Sequence, residues 1–142
     1  MNKIRLYIVV AYTIFTTTIK SHEMIQLTFA SLQVRNLEAS KDFYTQKLGF
    51  EIETSNPQAY VFKYNQGQAS FAIRTPLEPI EGKDLGIGVA LWFAVNENVD
   101  ELKEKFIAKG ITTAGPTIET PFGRAFHVKD LDGYKLTFLK PK

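Results

Sequence analysis

Leu37-Glu38-Ala39-Ser40-Lys41-Asp42-Phe43-Tyr44-Thr45-Gln46-Lys47-Leu48, closed by Gly49-Phe50, reads as one helix with an apolar stripe (Leu37, Phe43, Tyr44, Leu48) and a glycine suited to a left-handed exit. It follows an alternating segment from Phe29 to Arg35. The same strand–helix–Gly order returns about sixty residues later as Leu91 to Val95, Val99 to Lys109 and Gly110-Ile111. Val34 matches Val95 and Gly49 matches Gly110, both at an offset of 61. A long period met twice predicts two copies of one supersecondary unit.

Working outward, Ile25 to Arg35 is expected as a strand, with Ala30, Leu32 and Val34 on one face and Phe29, Ser31 and Gln33 on the other. Asn36 is placed to cap the first helix, with Glu38 in its first turn. Three strands are expected next, near Phe50–Glu53, Tyr60–Tyr64 and Ser70–Arg74, with Asn65-Gln66-Gly67 turning between the last two. Thr75 to Gly88, with two prolines and three glycines, connects the halves. The second half repeats the order: a strand over Val89–Val95, a helix over Val99–Lys109 capped by Asn98 with Glu101 three residues on, and strands near Thr112–Glu119, Ala125–Lys129 and Lys135–Leu139. Asp130-Leu131-Asp132-Gly133 is the last turn, and turn geometry alone accounts for its two aspartates. The pattern is βαβββ twice, an α+β domain with helices on one face of its sheets.

A chain of 142 residues supports one domain with a sizeable core. It has no cysteine, which excludes disulfides, thiolate catalysis and thiolate metal sites. Of the formal charge of +2, all sits in the first 23 residues, where Lys3, Arg5 and Lys20 face Glu23; 14 basic and 14 acidic residues remain from Met24 onward. A neutral domain with mixed charges has no footprint for nucleic acid.

Residues 1–23 stand apart. A basic start and an apolar run from Leu6 to Phe15, broken only by Thr13, resemble a signal peptide. No small-x-small cleavage site follows, and the run is short for a transmembrane span. The preferred expectation is an upstream start, with Met24 opening the domain (24–142; modules about 24–75 and 88–142) in the cytoplasm. An export or anchor segment and an added strand are the alternatives.

Two linked segments carry a resemblance. Leu32-Gln-Val-Arg-Asn-Leu-Glu-Ala-Ser-Lys-Asp-Phe-Tyr44, with Leu48-Gly-Phe50, resembles the opening module of the vicinal oxygen chelate superfamily, which includes glyoxalases, ring-cleaving dioxygenases and bleomycin resistance proteins. Phe122 to Phe138 is similar to the family's Asp-Pro-Asp-Gly hairpin and final strand, with Leu131 in place of proline. The resemblance implies two βαβββ modules whose curled sheets form a cleft. It also implies, in metal-dependent members, ligands on the first and last strand of each module. Those positions here are Phe29, Ala72, Ala90 and Thr137. None is a histidine or carboxylate, and a divalent ion needs several such donors. No metal or other cofactor is therefore expected.

Alternation then nominates the cleft lining. Phe29, Ser31 and Gln33 share a face, as do Ala90 and Trp92; two aromatics beside alanines suit a flat organic ligand, although aromatics that merely fill a cleft or pack a dimer would look the same. Arg74 and Lys135 share parity with Ala72 and Thr137 and reach toward the mouth, where an anionic group would meet them; solvation is the ordinary fate of such charges. Phe122 and Arg124 flank a loop over the cleft, with Gly123 read as backbone geometry. His127 is the only histidine outside the tail and a weak candidate for acid–base work; a histidine satisfied by its neighbours is the plainer reading.

The expectation is a metal-free binding protein that sequesters an aromatic or drug-like small molecule, as a homodimer, with neither nucleic acid nor membrane as partner. The alternative is a divalent-metal-dependent lyase, isomerase or dioxygenase of the same superfamily, with ligands outside the usual positions. A subunit with a vestigial cleft is a third reading.

Overall fold

The computed structural model describes residues 27–63 and 71–142. The tail and the expected Asn65-Gln66-Gly67 turn lie outside the described residues. The elements are β1 (Ala30–Gln33), α1 (Leu37–Asp42), β2 (Glu51–Asn56), β3 (Ala59–Lys63), β4 (Phe71–Arg74), β5 (Ala90–Ala94), α2 (Val99–Ala108), β6 (Ile118–Thr120), β7 (Gly123–Lys129) and β8 (Lys135–Pro141). They build two four-stranded mixed sheets of identical order, β1-β4-β3-β2 and β5-β8-β7-β6. In each, the first strand runs parallel to the last and the other pairs are antiparallel. The βαβββ repeat is therefore present twice, and neither sheet closes.

Both helices start on asparagine. Asn36 Oδ1 accepts the Ala39 N–H at 3.0 Å, and Asn98 Oδ1 accepts those of Asp100 at 2.8 Å and Glu101 at 3.3 Å, satisfying donors that the first turn leaves free. Acidic Glu38, Asp100 and Glu101 sit in the first turns, where the helix dipole favours them. In α2 the buried Val99, Leu102 and Phe106 form the stripe that packs on β7 and β8.

The first helix departs from expectation. Beyond Asp42 it continues as a π-helical stretch, Phe43–Lys47, with the Leu48 N–H bonded to the Phe43 carbonyl at 3.2 Å. This widened turn accompanies complete burial of Tyr44 and its fixation to Asp130, a tertiary contact that overrides local α preference. Gly49 and Gly110 close the two helices at φ of +83° and +74°.

The strand expected over Thr112–Glu119 is the other departure. It reduces to a single bridge, Thr113 to Val128, and the short β6. Gly115 at φ +81° and Pro116, which has no N–H to give a ladder, interrupt it.

One core serves both modules. Phe50, Phe71 and Phe93 meet with ring centroids 5.0–5.5 Å apart, and Phe93 stacks on Phe138, which Phe106 and Phe126 also contact at 5.0 and 5.5 Å. Phe93 of the second module thus bridges the aromatic clusters of both halves. Polar contacts reinforce the union. The Tyr134 hydroxyl donates to the Gln33 carbonyl at 2.9 Å, and Asp130 and Asp132 reach back to the first module. Asp130 Oδ2 accepts the Tyr44 hydroxyl at 2.7 Å, while its Oδ1 takes the N–H groups of Asp132 and Tyr134. Asp132 accepts from both the backbone and the guanidinium of Arg35, and from Ser40. The turn aspartates are therefore buried clamps between modules, not simple turn formers. Desolvation raises the Asp130 carboxyl above its usual value and pushes the Tyr44 phenol well up.

Candidate functional site

The face of each sheet away from its helix is the open face. Register identifies its rungs. In the second sheet Trp92 pairs with Thr137 and Thr137 with His127, so those three side chains stand in one row. In the first sheet Ser31 pairs with Ala72 and Ala72 with Val61. Ser31 and Trp92 are 61 residues apart, the offset of the repeat, so the two rows are equivalent. Phe29 and Ala90 stand two residues before them. The positions Phe29 and Ala72, Ala90 and Thr137 thus match each other across the repeat.

Their chemistry does not fit a metal. Two alanines and a phenylalanine offer no donor, and the Thr137 side chain is fully buried with its hydroxyl committed to His127. Among the described residues no group of three or more His, Asp or Glu side chains converges.

The second row is a small aromatic site. Trp92 is 47% exposed, unusual for so large an apolar ring, and stands edge-on to Phe122 (centroids 6.3 Å, 83°) and to the His127 imidazole (6.4 Å, 80°). Phe122 is 68% exposed. Thr137 Oγ1 lies 2.9 Å from His127 Nδ1, which fixes the imidazole and leaves Nε2 as its second hydrogen-bonding position. Desolvation first, and the Lys135 charge second, hold the His127 pKa below its ordinary 6.5, so the ring is neutral at pH 7. It can donate or accept one hydrogen bond without bringing charge.

Phe122 owes its place to Gly123. There φ is +140°, and a Cβ would lie 2.0 Å from the Lys140 carbonyl oxygen, so only glycine fits beside β8. The Thr120 hydroxyl ties the same turn by donating to the Gly123 carbonyl at 2.7 Å and accepting the Phe122 N–H at 3.2 Å.

The remaining expected residues are scattered. Phe29 is exposed ahead of β1, and no ring contact joins it to Trp92 among the described residues; the aromatic partners of Trp92 are Phe122 and His127 instead. Ser31 is exposed, Ala72 buried and Ala90 exposed. Gln33 Oε1 accepts the Leu77 N–H at 2.7 Å, and the Arg74 Nε donates to the Thr75 carbonyl at 3.2 Å. Arg124 has the parity of Phe126, opposite to His127. It is gripped by both Asp100 carboxylate oxygens (2.9 and 3.1 Å) and by Glu119 (2.8 Å), which raises its pKa further. Arg124 thus braces the start of α2 and does not join the open face. Lys129, pairing with Lys135 in the next row, was not singled out from sequence; its spacing of two from His127 is the signal that finds it.

Residues 26–138 match the model of the Glyoxalase/Bleomycin resistance protein/Dioxygenase superfamily. No curated protein matches the chain by sequence. Among solved structures, TnmS3, an antibiotic binding protein from Streptomyces sp. CB03234, is 21% identical with a TM-score of 0.71, over 85% of this chain and 99% of its own. A protein of Agrobacterium tumefaciens solved by solution NMR is 27% identical with a TM-score of 0.67, over 84% and 99%. The lactoylglutathione lyase of Agrobacterium tumefaciens is 19% identical with a TM-score of 0.64, over 84% and 96%. The first and the last share the fold with this chain; at such identity they carry no activity across.

Proposed function

The chain belongs to the glyoxalase/bleomycin resistance protein/dioxygenase superfamily, and from that premise we propose that it is a metal-free binding protein which holds an aromatic or drug-like small molecule on the open face of its second sheet. The observation that carries this is Trp92: a half-exposed indole near-perpendicular to Phe122 and His127, flanked along its own strand by the small Ala90 and Ala94. An indole this exposed offers apolar surface on which a flat ligand stacks, with the neutral His127 able to make one directional hydrogen bond. The proposal includes a homodimer, as the family resemblance implies, a cytoplasmic location, and residues 24–142 as the binding domain. No helix among the described residues is long and apolar enough to cross a membrane.

The lyase or dioxygenase alternative needs metal donors that the four equivalent positions do not supply. Two measurements separate the readings. The full chain, incubated with excess nickel, zinc, manganese or iron(II) and desalted, should retain far less than one ion per chain. Trp92, the sole tryptophan, should show saturable quenching with planar aromatic compounds. One bound ion per chain, or a library of flat aromatics that leaves the emission unchanged, would sink the proposal.

A further inference from the structure

The row next to the aromatic one is cationic. Ala90 pairs with Lys135, and Lys135 with Lys129, so two lysines sit at directly opposed positions on the open face, two residues from Thr137 and His127. Like charges directly opposite on neighbouring strands destabilise a sheet. Neither lysine side chain has a hydrogen bond or ion pair with a described residue; the nearby charges that line the same space are otherwise engaged or outnumbered.

That space is a cavity of about 660 Å³. Lys129, Lys135 and Ala90 lie on one side, the loop from Asp84 to Val89 on another, and Arg35, Asp132 and Gly133 at the end. Asp132 is taken by the Arg35 backbone N–H and guanidinium and by Ser40, and Arg35 is spent on Asp132 and the Lys83 carbonyl. The one carboxylate lining this cavity that is not already bound by Arg35 is the exposed Asp84. The loop wall is fixed: Gly86 has φ +80°, and a Cβ there would lie 2.8 Å from the Gly133 carbonyl and from Tyr134 Cα, so the loop backbone lies close against the final turn. A tight turn from the Gly86 carbonyl to the Val89 N–H, 3.2 Å, returns the chain to β5.

We propose that the Lys129–Lys135 pair is an anion subsite, and that the ligand class of this protein is an aromatic carboxylic acid whose ring lies on Trp92 and whose carboxylate meets the two lysines. The inference rests on the aromatic-face reading above and deepens it. Successive residues of like parity along a strand are about 6.6 Å apart, a gap that a fused ring on the indole crosses with a carboxylate on its edge and a hydrogen bond from an ammonium group to that carboxylate. Cation, aromatic and aliphatic rows follow one another: Lys135 and Lys129, then Trp92 and His127, then Ala94, Leu139 and Ala125. The neutral imidazole offers the ring a hydrogen bond without adding a third positive charge.

The test is calorimetric titration of the full chain with 2-naphthoate and with the uncharged 2-naphthalenemethanol. Naphthoate should bind roughly tenfold more tightly, as charge-assisted contacts exceed neutral ones, and the advantage should shrink as salt is raised from 0.05 to 0.5 M. The double variant Lys129→Met, Lys135→Met keeps the apolar stems. It should bring naphthoate down to the affinity of the alcohol and leave the alcohol unchanged; each single variant should fall between. Equal affinity for the two probes in the unaltered protein, or an advantage that survives in the double variant, overturns the anion subsite while the aromatic face stands. If neither probe binds, the aromatic-face reading fails and takes the subsite with it.

Discussion

Ser31–Ala72–Val61 in the first sheet and Trp92–Thr137–His127 in the second occupy equivalent rungs of equivalent sheets and differ at every position. The backbone repeats because strand order, helix caps and closing glycines repeat. The open-face side chains were free to diverge, since they contribute little to the core on the other side. One half therefore carries an indole, a buried hydroxyl and a neutral imidazole, and the other carries small or aliphatic groups. On the proposed reading, one half of the duplication supports the half that holds the ligand.

That comparison assumes a single shared core, and the sharpest way to break it is Phe138→Ala. The ring is fully buried against Phe93, Phe106 and Phe126, so its loss should cost about 3–5 kcal/mol. Urea unfolding should stay a single transition, and hydrogen exchange should show both sheets losing protection together. Two separate transitions would mean that the modules stand alone and that the first does not support the second.

The contrast between the rungs is sharpened by a matched pair. Trp92→Ala should weaken binding of 2-naphthalenemethanol at least tenfold, or about 1.4 kcal/mol, while the equivalent Ser31→Ala should change it less than twofold. Calorimetry decides; comparable losses from both would place ligand across the two open faces.

Smallest is the effect at His127. Its pKa in the fold lies below the ordinary 6.5, so the unfolded chain takes the proton first, and this contribution to stability, present above pH 6.5, is lost as pH falls through and below it. The urea midpoint should drop on acidification less steeply in His127→Gln, and the imidazole resonance of His127 should titrate below 6.5. Lys135→Met should move that titration upward, because one of its two causes is removed. A titration above 6.5 would mean a charged ring and a different face.

The fold was legible because its signals are local. Two asparagine caps and two closing glycines each sit within short windows, and their recurrence at an offset of about 61 names both modules. Where a wide helical turn or a broken strand appears, the cause is either distant or a pair of breakers. Tyr44 is drawn by Asp130, 86 positions away, whereas Gly115-Pro116 breaks its strand from within. The site was legible in part. Alternation set Trp92 and Ala90 on one face, yet Phe122 finds Trp92 only through a turn whose shape Gly123 dictates. Arg124 flanks that loop in sequence, but its parity is that of Phe126, and its partner Asp100 lies on another element. The roles of Asp130 and Asp132 depend on partners 86 to 97 positions upstream, which no local pattern announces.

Those distances set the order in which the molecule can be made. A ribosome releases Tyr44, Ser40 and Arg35 long before it reaches Asp130 and Asp132, so the first module waits, with a phenol and an arginine unmet, for the closing turn. The segment from Asp130 onward acts as a clasp, and a polypeptide cut short before it lacks more than a strand: its opening helix keeps its packing on the first sheet but loses the polar contacts that fasten it to the second module.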